Sequence, residues 1–181
     1  MAANDFLVSK WKIWYKSLDV NHDGTISMED VEESRQKFSE LHHLDAEKKK
    51  MVMENFEKWW NEYVFRGKKG EVSETQFIEA LQNDYKADKD KFKKQMETCF
   101  DTIFDVIDTN KDRSISEDEF LIAFEAYGHE NVALDTKFFK AYNPVDGLVP
   151  LKDIVASWVD FATSSDATKP SVVKTAFEAG V

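Results

Sequence analysis

The chain has 181 residues, enough to bury a core, and carries a formal net charge of −11. Hydrophobic residues at 42% and aromatics at 13% exclude disorder, while 6 Gly and 3 Pro are too few for the turns of a sandwich or barrel. An acidic surface repels phosphate backbones and no apolar run approaches the ~20 residues that span a bilayer, so neither nucleic acid nor membrane is an expected partner.

The opening residues, Met1 to Asp5, lack the basic-then-apolar order of a signal peptide and lack Gly at position 2. A cytoplasmic address without N-myristoylation is therefore expected. Residues 5–18 read as a helix, because Phe6, Leu7, Trp11, Trp14, Tyr15 and Leu18 recur at spacings of three and four. A polar stretch from Asp19 breaks it, and a second helix from about Met28 carries Val31, Phe38 and Leu41. The same helix–polar loop–helix order returns three times, with outgoing helices beginning near Ser27, Ser73, Ser116 and Pro150. Ser73 to Gln76 and Ser116 to Glu119 are capping boxes, and Ser27 to Asp30 is a shorter-armed version. Pro150 fits the first turn of a helix, where a missing N–H costs nothing. Charged Lys86 to Lys91 reads either as a junction between halves or as a solvated helix start. Beyond Phe161 the chain is loop-like, yet Val172, Val173, Phe177 and Val181 make an apolar tail that can pack on the body.

The loops carry the chemistry. Calcium takes six to eight oxygens, and a twelve-residue loop wraps it with ligands from alternate positions. The first loop, 19–30, offers side-chain oxygens from Asp19, Asn21 and Asp23 at positions 1, 3 and 5. Gly24 supplies the sharp turn at position 6. Thr25 offers its carbonyl at position 7, Ser27 can act through a water, and Asp30 closes the set. Leu18, Tyr15, Trp14 and Trp11 lie one, four, five and eight residues ahead, as the incoming helix of such a loop requires; a turn that binds nothing would not need them. His22, at position 4, is expected to point outward into solvent.

The loop 108–119 repeats the pattern with Asp108, Asn110, Asp112, the carbonyl of Ser114, and Glu119, whose two oxygens can chelate. Arg113 takes the glycine position, so a residue with a Cβ must turn left-handed at roughly 1–2 kcal/mol. It also brings a cation near the ion, though its long arm can extend into solvent, so binding is expected to survive, weakened. The loop at about 64–76 has lost its ligands: aligned on Gly70 and Val72, it has Phe65, Gly67, Lys69 and Gln76 at positions 1, 3, 5 and 12. Its incoming aromatics, Phe56, Trp59, Trp60 and Tyr63, fit a start at Val64 instead, one residue too early. The loop at about 143–153 is one residue short, with Pro144 and Val145 in its ligand stretch; Asp146 and Asp153 leave weak binding there open. An apolar residue survives at position 8 of every loop, Ile26, Val72, Ile115 and Val149, where paired loops join through a short antiparallel bridge.

These residues describe an all-α, compact chain of four EF-hand motifs in two pairs: 1–90 with live loop 19–30, and 91–181 with live loop 108–119 and the apolar tail. With Asp30 closing the first loop, the whole chain resembles the invertebrate sarcoplasmic calcium-binding proteins. The resemblance implies a helical body in muscle cytoplasm that buffers calcium and magnesium, and relatives that include shellfish allergens. It usually comes with three live sites; this chain keeps two. Divalent ions are the expected partners, Ca2+ at two sites, with Mg2+ also able to bind, especially at the first. No obligate protein partner is expected, and the state is monomer or weak dimer. A calcium sensor would need a methionine-rich groove, and the chain has five Met. Photoproteins and luciferin-binding proteins share this fold, but photoproteins carry a histidine in the C-terminal segment, and none follows His129. No nucleophile motif or phosphate loop suggests an enzyme, and lone Cys99 reads as a small core residue.

Overall fold

The computed structural model describes residues 3–181. Met1 and Ala2, part of the opening on which the address expectation rests, lie outside them. Asn4 accepts from the Leu7 N–H and starts α1 (Asp5–Leu18), which buries Leu7, Trp11, Trp14, Tyr15 and Leu18. Helix α2 (Met28–Leu41) begins on the Ser27 capping box, with Asp30 reaching back as its third residue. Helix α3 (Ala46–Trp59) passes directly into a π-helical turn, Trp60–Phe65. Helix α4 (Glu74–Ala87) starts on the Ser73–Gln76 box, and Asp88 alone separates it from α5 (Lys89–Ile107), which it caps. The 86–91 stretch is thus both a helix end and a helix start. Helix α6 (Glu117–Ala126) begins on the Ser116–Glu119 box, and α7 (Val132–Lys140) is capped by Asn131. Helix α8 (Leu151–Thr163) follows Pro150, which takes the N-cap position rather than the first turn itself. The tail is loop only over 164–171; beyond it α9 (Val172–Glu178) forms, burying Val173 and Ala176. No helix among the described residues is long and apolar enough to cross a membrane.

The π-turn resolves the misfit of the second loop. A π-bulge lodges one extra residue within a helix. The loop therefore keeps its twelve-residue frame from Phe65, with Gly70 and Val72 in place. The residue that seemed surplus is absorbed upstream, and Val64 and Phe65 are both buried beside Trp60.

Two backbone bridges tie the loops. Strand β1 (Ser114–Ser116) pairs antiparallel with β2 (Leu148–Pro150), Ile115 facing Val149. Ile26 forms a single bridge with Val72. Tyr15 completes the latter, its hydroxyl donating to the Val72 carbonyl at 2.6 Å and accepting from the Ile26 N–H at 3.1 Å. Pro150 does not interrupt the former, because Leu151 donates the next bond to Arg113 O at 3.0 Å. All five tryptophans and buried Cys99 belong to one apolar cluster fed by both halves of the chain. Burying each large aromatic contributes on the order of 1.5–3 kcal/mol. Helix α2 packs on α6, α1 on α8, and α3 on α5, so the halves share that core.

Candidate metal centres

In the first loop, oxygens of Asp19, Asp23 and Asp30 all lie within 4.8 Å of one another; in the third, those of Asp108, Asp112 and Glu119 do the same. Local sequence explains how like charges are gathered so tightly. The loop amides turn inward: Gly24 N–H donates to Asp19 Oδ2 at 2.8 Å and Thr25 N–H to Asp23 Oδ1 at 3.0 Å. Their counterparts are Arg113 N–H to Asp108 Oδ2 at 2.9 Å and Ser114 N–H to Asp112 Oδ1 at 2.9 Å. The closing residues match as well. Asp30 accepts from Ser27 N–H at 2.8 Å and Asn21 N–H at 3.2 Å, whereas Glu119 accepts from Ser116 N–H and Thr109 N–H, both at 3.0 Å. Asn21 and Asn110 accept from the amides of Asp23 and Asp112 at 3.3 and 3.2 Å.

These frames fit a divalent cation. Asp19, Asp30, Asp108 and Glu119 are buried while Asp23 and Asp112 are exposed, so each loop presents a partly dry wall and an open mouth. Burial pushes the Asp30 and Asp108 carboxyls up from their ordinary values, and the neighbouring carboxylates add to that push. Among the described residues, Asp108 Oδ1 is buried with no hydrogen-bond partner. A buried carboxylate oxygen left unpaired inside a cluster of carboxylates is costly, and a hard cation that accepts oxygen ligands removes that cost.

Some residues sit differently from expectation. Arg113 is left-handed, at φ 61. Its guanidinium, however, turns away from the carboxylate cluster to reach Asp101 at 3.2 Å and Asp105 at 3.3 Å on α5. Those two aspartates went unremarked in the sequence, although their spacing of four puts them on one helical face beside the loop. His22 is exposed, but its Nε2 lies 3.0 Å from Gly128 O. The fourth loop is a tight hairpin: Val145 and Leu148 exchange backbone bonds at 3.0 Å around left-handed Asp146 and Gly147. Asp146 and Asp153 join no acidic cluster among the described residues.

No family model matches the chain. It is 54% identical over 175 residues to the sarcoplasmic calcium-binding protein of Mizuhopecten yessoensis, across 96% of this chain and 99% of that protein. This chain belongs to the sarcoplasmic calcium-binding proteins. The sarcoplasmic calcium-binding protein of Hediste diversicolor is 30% identical over 127 residues, covering 69% of this chain and 71% of that one. Among solved structures, calcium-loaded apo coelenterazine-binding protein of Renilla muelleri aligns at a TM-score of 0.74 with 22% identity, over 95% of this chain and 94% of its own. Photoprotein mitrocomin of the jellyfish Mitrocoma cellularia aligns at 0.67 with 19% identity, over 97% and 94%. At those identities the likeness is one of fold. As a sarcoplasmic calcium-binding protein, the chain binds calcium, and its two acidic clusters suit a divalent ion.

This sarcoplasmic calcium-binding protein also has a small apolar cavity of about 60 Å³, lined by residues that include Trp14, Trp59, Phe100, Phe124, Trp158 and Phe177. Tyr127 and His129 line it too. Burial holds His129 neutral, pushed down to about 4, and its Nε2 lies 3.1 Å from Ser17 O.

Proposed function

We propose that the chain holds two divalent ions and serves as a calcium and magnesium buffer. The first ion is bound by Asp19, Asn21, Asp23, Thr25 and Asp30, the second by Asp108, Asn110, Asp112, Ser114 and Glu119. The observation that carries this reading is the pair of three-carboxylate clusters, each already framed by its own loop amides. The bridges Ile26–Val72 and Ile115–Val149 support four EF-hand motifs in two pairs, 1–90 and 91–181, each pair combining one ligand-bearing loop with one ligand-poor loop. Magnesium demands six oxygens near 2.0–2.1 Å, and the short arm of Asp30 favours a one-oxygen contact, so the first site is the more tolerant of magnesium.

Buffering fits better than sensing. A sensor opens a methionine-rich groove, but Met28 and Met51, the exposed methionines among the described residues, lie on different helices. Helix α9 covers the core at α7 and α8. The relatives' name points to a cytoplasmic, sarcoplasmic setting. The alternative of a luciferin binder rests on the coelenterazine-binding neighbour and the aromatic cavity, yet a cavity of about 60 Å³ is far below the ~300–1,000 Å³ of ordinary ligand pockets.

Calorimetric titration with calcium tests the reading. Two tight ions are expected; Asp19→Ala removes one, Asp108→Ala the other, and Asp146→Ala changes little. Saturating calcium should leave binding of the dye ANS unchanged or lowered. Three or four tight ions would overturn the site assignment, and a large calcium-induced rise in dye fluorescence would overturn the buffer.

A further inference from the structure

Among the described residues, the bridges Ile26–Val72 and Ile115–Val149 each lead from a ligand-bearing loop to a ligand-poor one, and none joins the two ligand-bearing loops. A separate set of contacts connects them. His22, in the first loop, has Nε2 3.0 Å from the carbonyl oxygen of Gly128. His129 returns the contact, its Nε2 3.1 Å from Ser17 O, two residues ahead of Asp19. Gly128 and His129 lie just beyond α6, the helix whose first turn carries Glu119. Lys37 on α2 pairs with Glu130 at 2.7 Å, and α2, which carries Asp30, packs along α6. The fit at Gly128 is tight. Its φ is +88, and a Cβ there would stand 2.4 Å from the backbone oxygen of Val20, a residue of the first loop.

We propose that this joint, Gly128 against Val20 and His22, couples the two metal loops, with Gly128 and His22 as positioning residues that let an ion in one loop strengthen binding in the other. The proposal rests on the two-site reading. An ion in the first loop draws Asp30, and with it the first turn of α2, toward Asp19. Helix α6 is packed on α2 and held at its C-terminal end by the joint, so it must follow. Its first turn delivers Glu119 to Asp108. Occupation of the third loop drives the same movement in reverse. Allosteric coupling between two sites is typically about 5–150-fold, and linkage requires the same factor in both directions.

The test is site-resolved calcium calorimetry on the full chain. The third site should bind roughly fivefold or more weakly in Asp19→Ala than in the native protein, and the first site should weaken by the same factor in Asp108→Ala. His22→Ala, which alters no carboxylate and no buried group, should bring the factor toward one, read at the third site, whose own affinity in the Asp19→Ala background should not change. Gly128→Ala should do the same where circular dichroism reports a native fold, and His22→Ala keeps the test decisive where it does not. Two ions bound with independent affinities would overturn the coupling and leave the two-site reading intact; a stoichiometry other than two would overturn both. Full coupling in His22→Ala would overturn the joint as its carrier.

Discussion

Replacing Asp135 with asparagine should stabilise the protein, and by more at alkaline than at mildly acidic pH. Asp135 lies on α7, eight residues before Asn143, at the position where α1 carries Trp11 before Asp19 and α5 carries Phe100 before Asp108. An aspartate therefore stands where the other incoming helices bury an aromatic ring. It is only 1% exposed, and its Oδ1 has no partner among the described residues. Burial, with the Glu125 carboxylate adding to it, pushes the carboxyl from 3.8 up to about 7. Because the folded value is raised, the folded state holds the proton more tightly than the unfolded chain. Stability is then intact below about pH 4 and falls as pH rises towards 7, by ~1.4 kcal/mol per unit. Asparagine is neutral throughout, so its advantage should grow by about 2 kcal/mol between pH 5.5 and 8. For a chain of this length that is a widening of roughly 4–8 °C in the difference between melting temperatures. Thermal denaturation by circular dichroism in the presence of EDTA, at both pH values, removes the metal sites from the comparison. An advantage of the same size at both pH values, or a variant less stable than the native chain at pH 8, would refute the reasoning.

Two further substitutions address the loops. Asp30→Glu should raise the calcium preference of the first site, because the longer arm can supply both oxygens as at Glu119; an unchanged calcium-to-magnesium affinity ratio from competition titration would count against it. Arg113→Gly relieves a left-handed φ worth roughly 1–2 kcal/mol. It also frees Asp101 and Asp105 from exposed ion pairs of the kind that contribute only ~0–1 kcal/mol each. The third site should therefore bind calcium up to about tenfold more tightly, although a floppier loop opposes the gain. Equal or weaker affinity would mean that the clamp onto α5 orders the loop by more than the strain costs.

The two acidic clusters were legible because everything that frames them is local. Asp19, Asn21, Asp23 and Asp30 lie within twelve residues, the capping boxes at Ser27 and Ser116 fix the helix starts, and the amides that turn inward belong to the same loops. Short-range hydrogen bonds and periodicity of 3.6 need no knowledge of the rest of the chain. The position-8 bridges were legible for a related reason: each joins residues whose place in a repeated unit is set by that unit alone. What depended on distant neighbours was not. The π-turn at Trp60–Phe65 exists because Val64 and Phe65 both find room in the core while Gly70 and Val72 stay in register. The Arg113 clamp depends on where α5 runs, and the contact of His22 with Gly128 on how two loops 106 residues apart are brought together. Asp135 reads in the sequence as one more solvated acid in an acidic chain. Only the packing of α7 against α6 and α9 takes water away from it, and desolvation, a property of the assembled core, is what turns a common carboxylate into a liability.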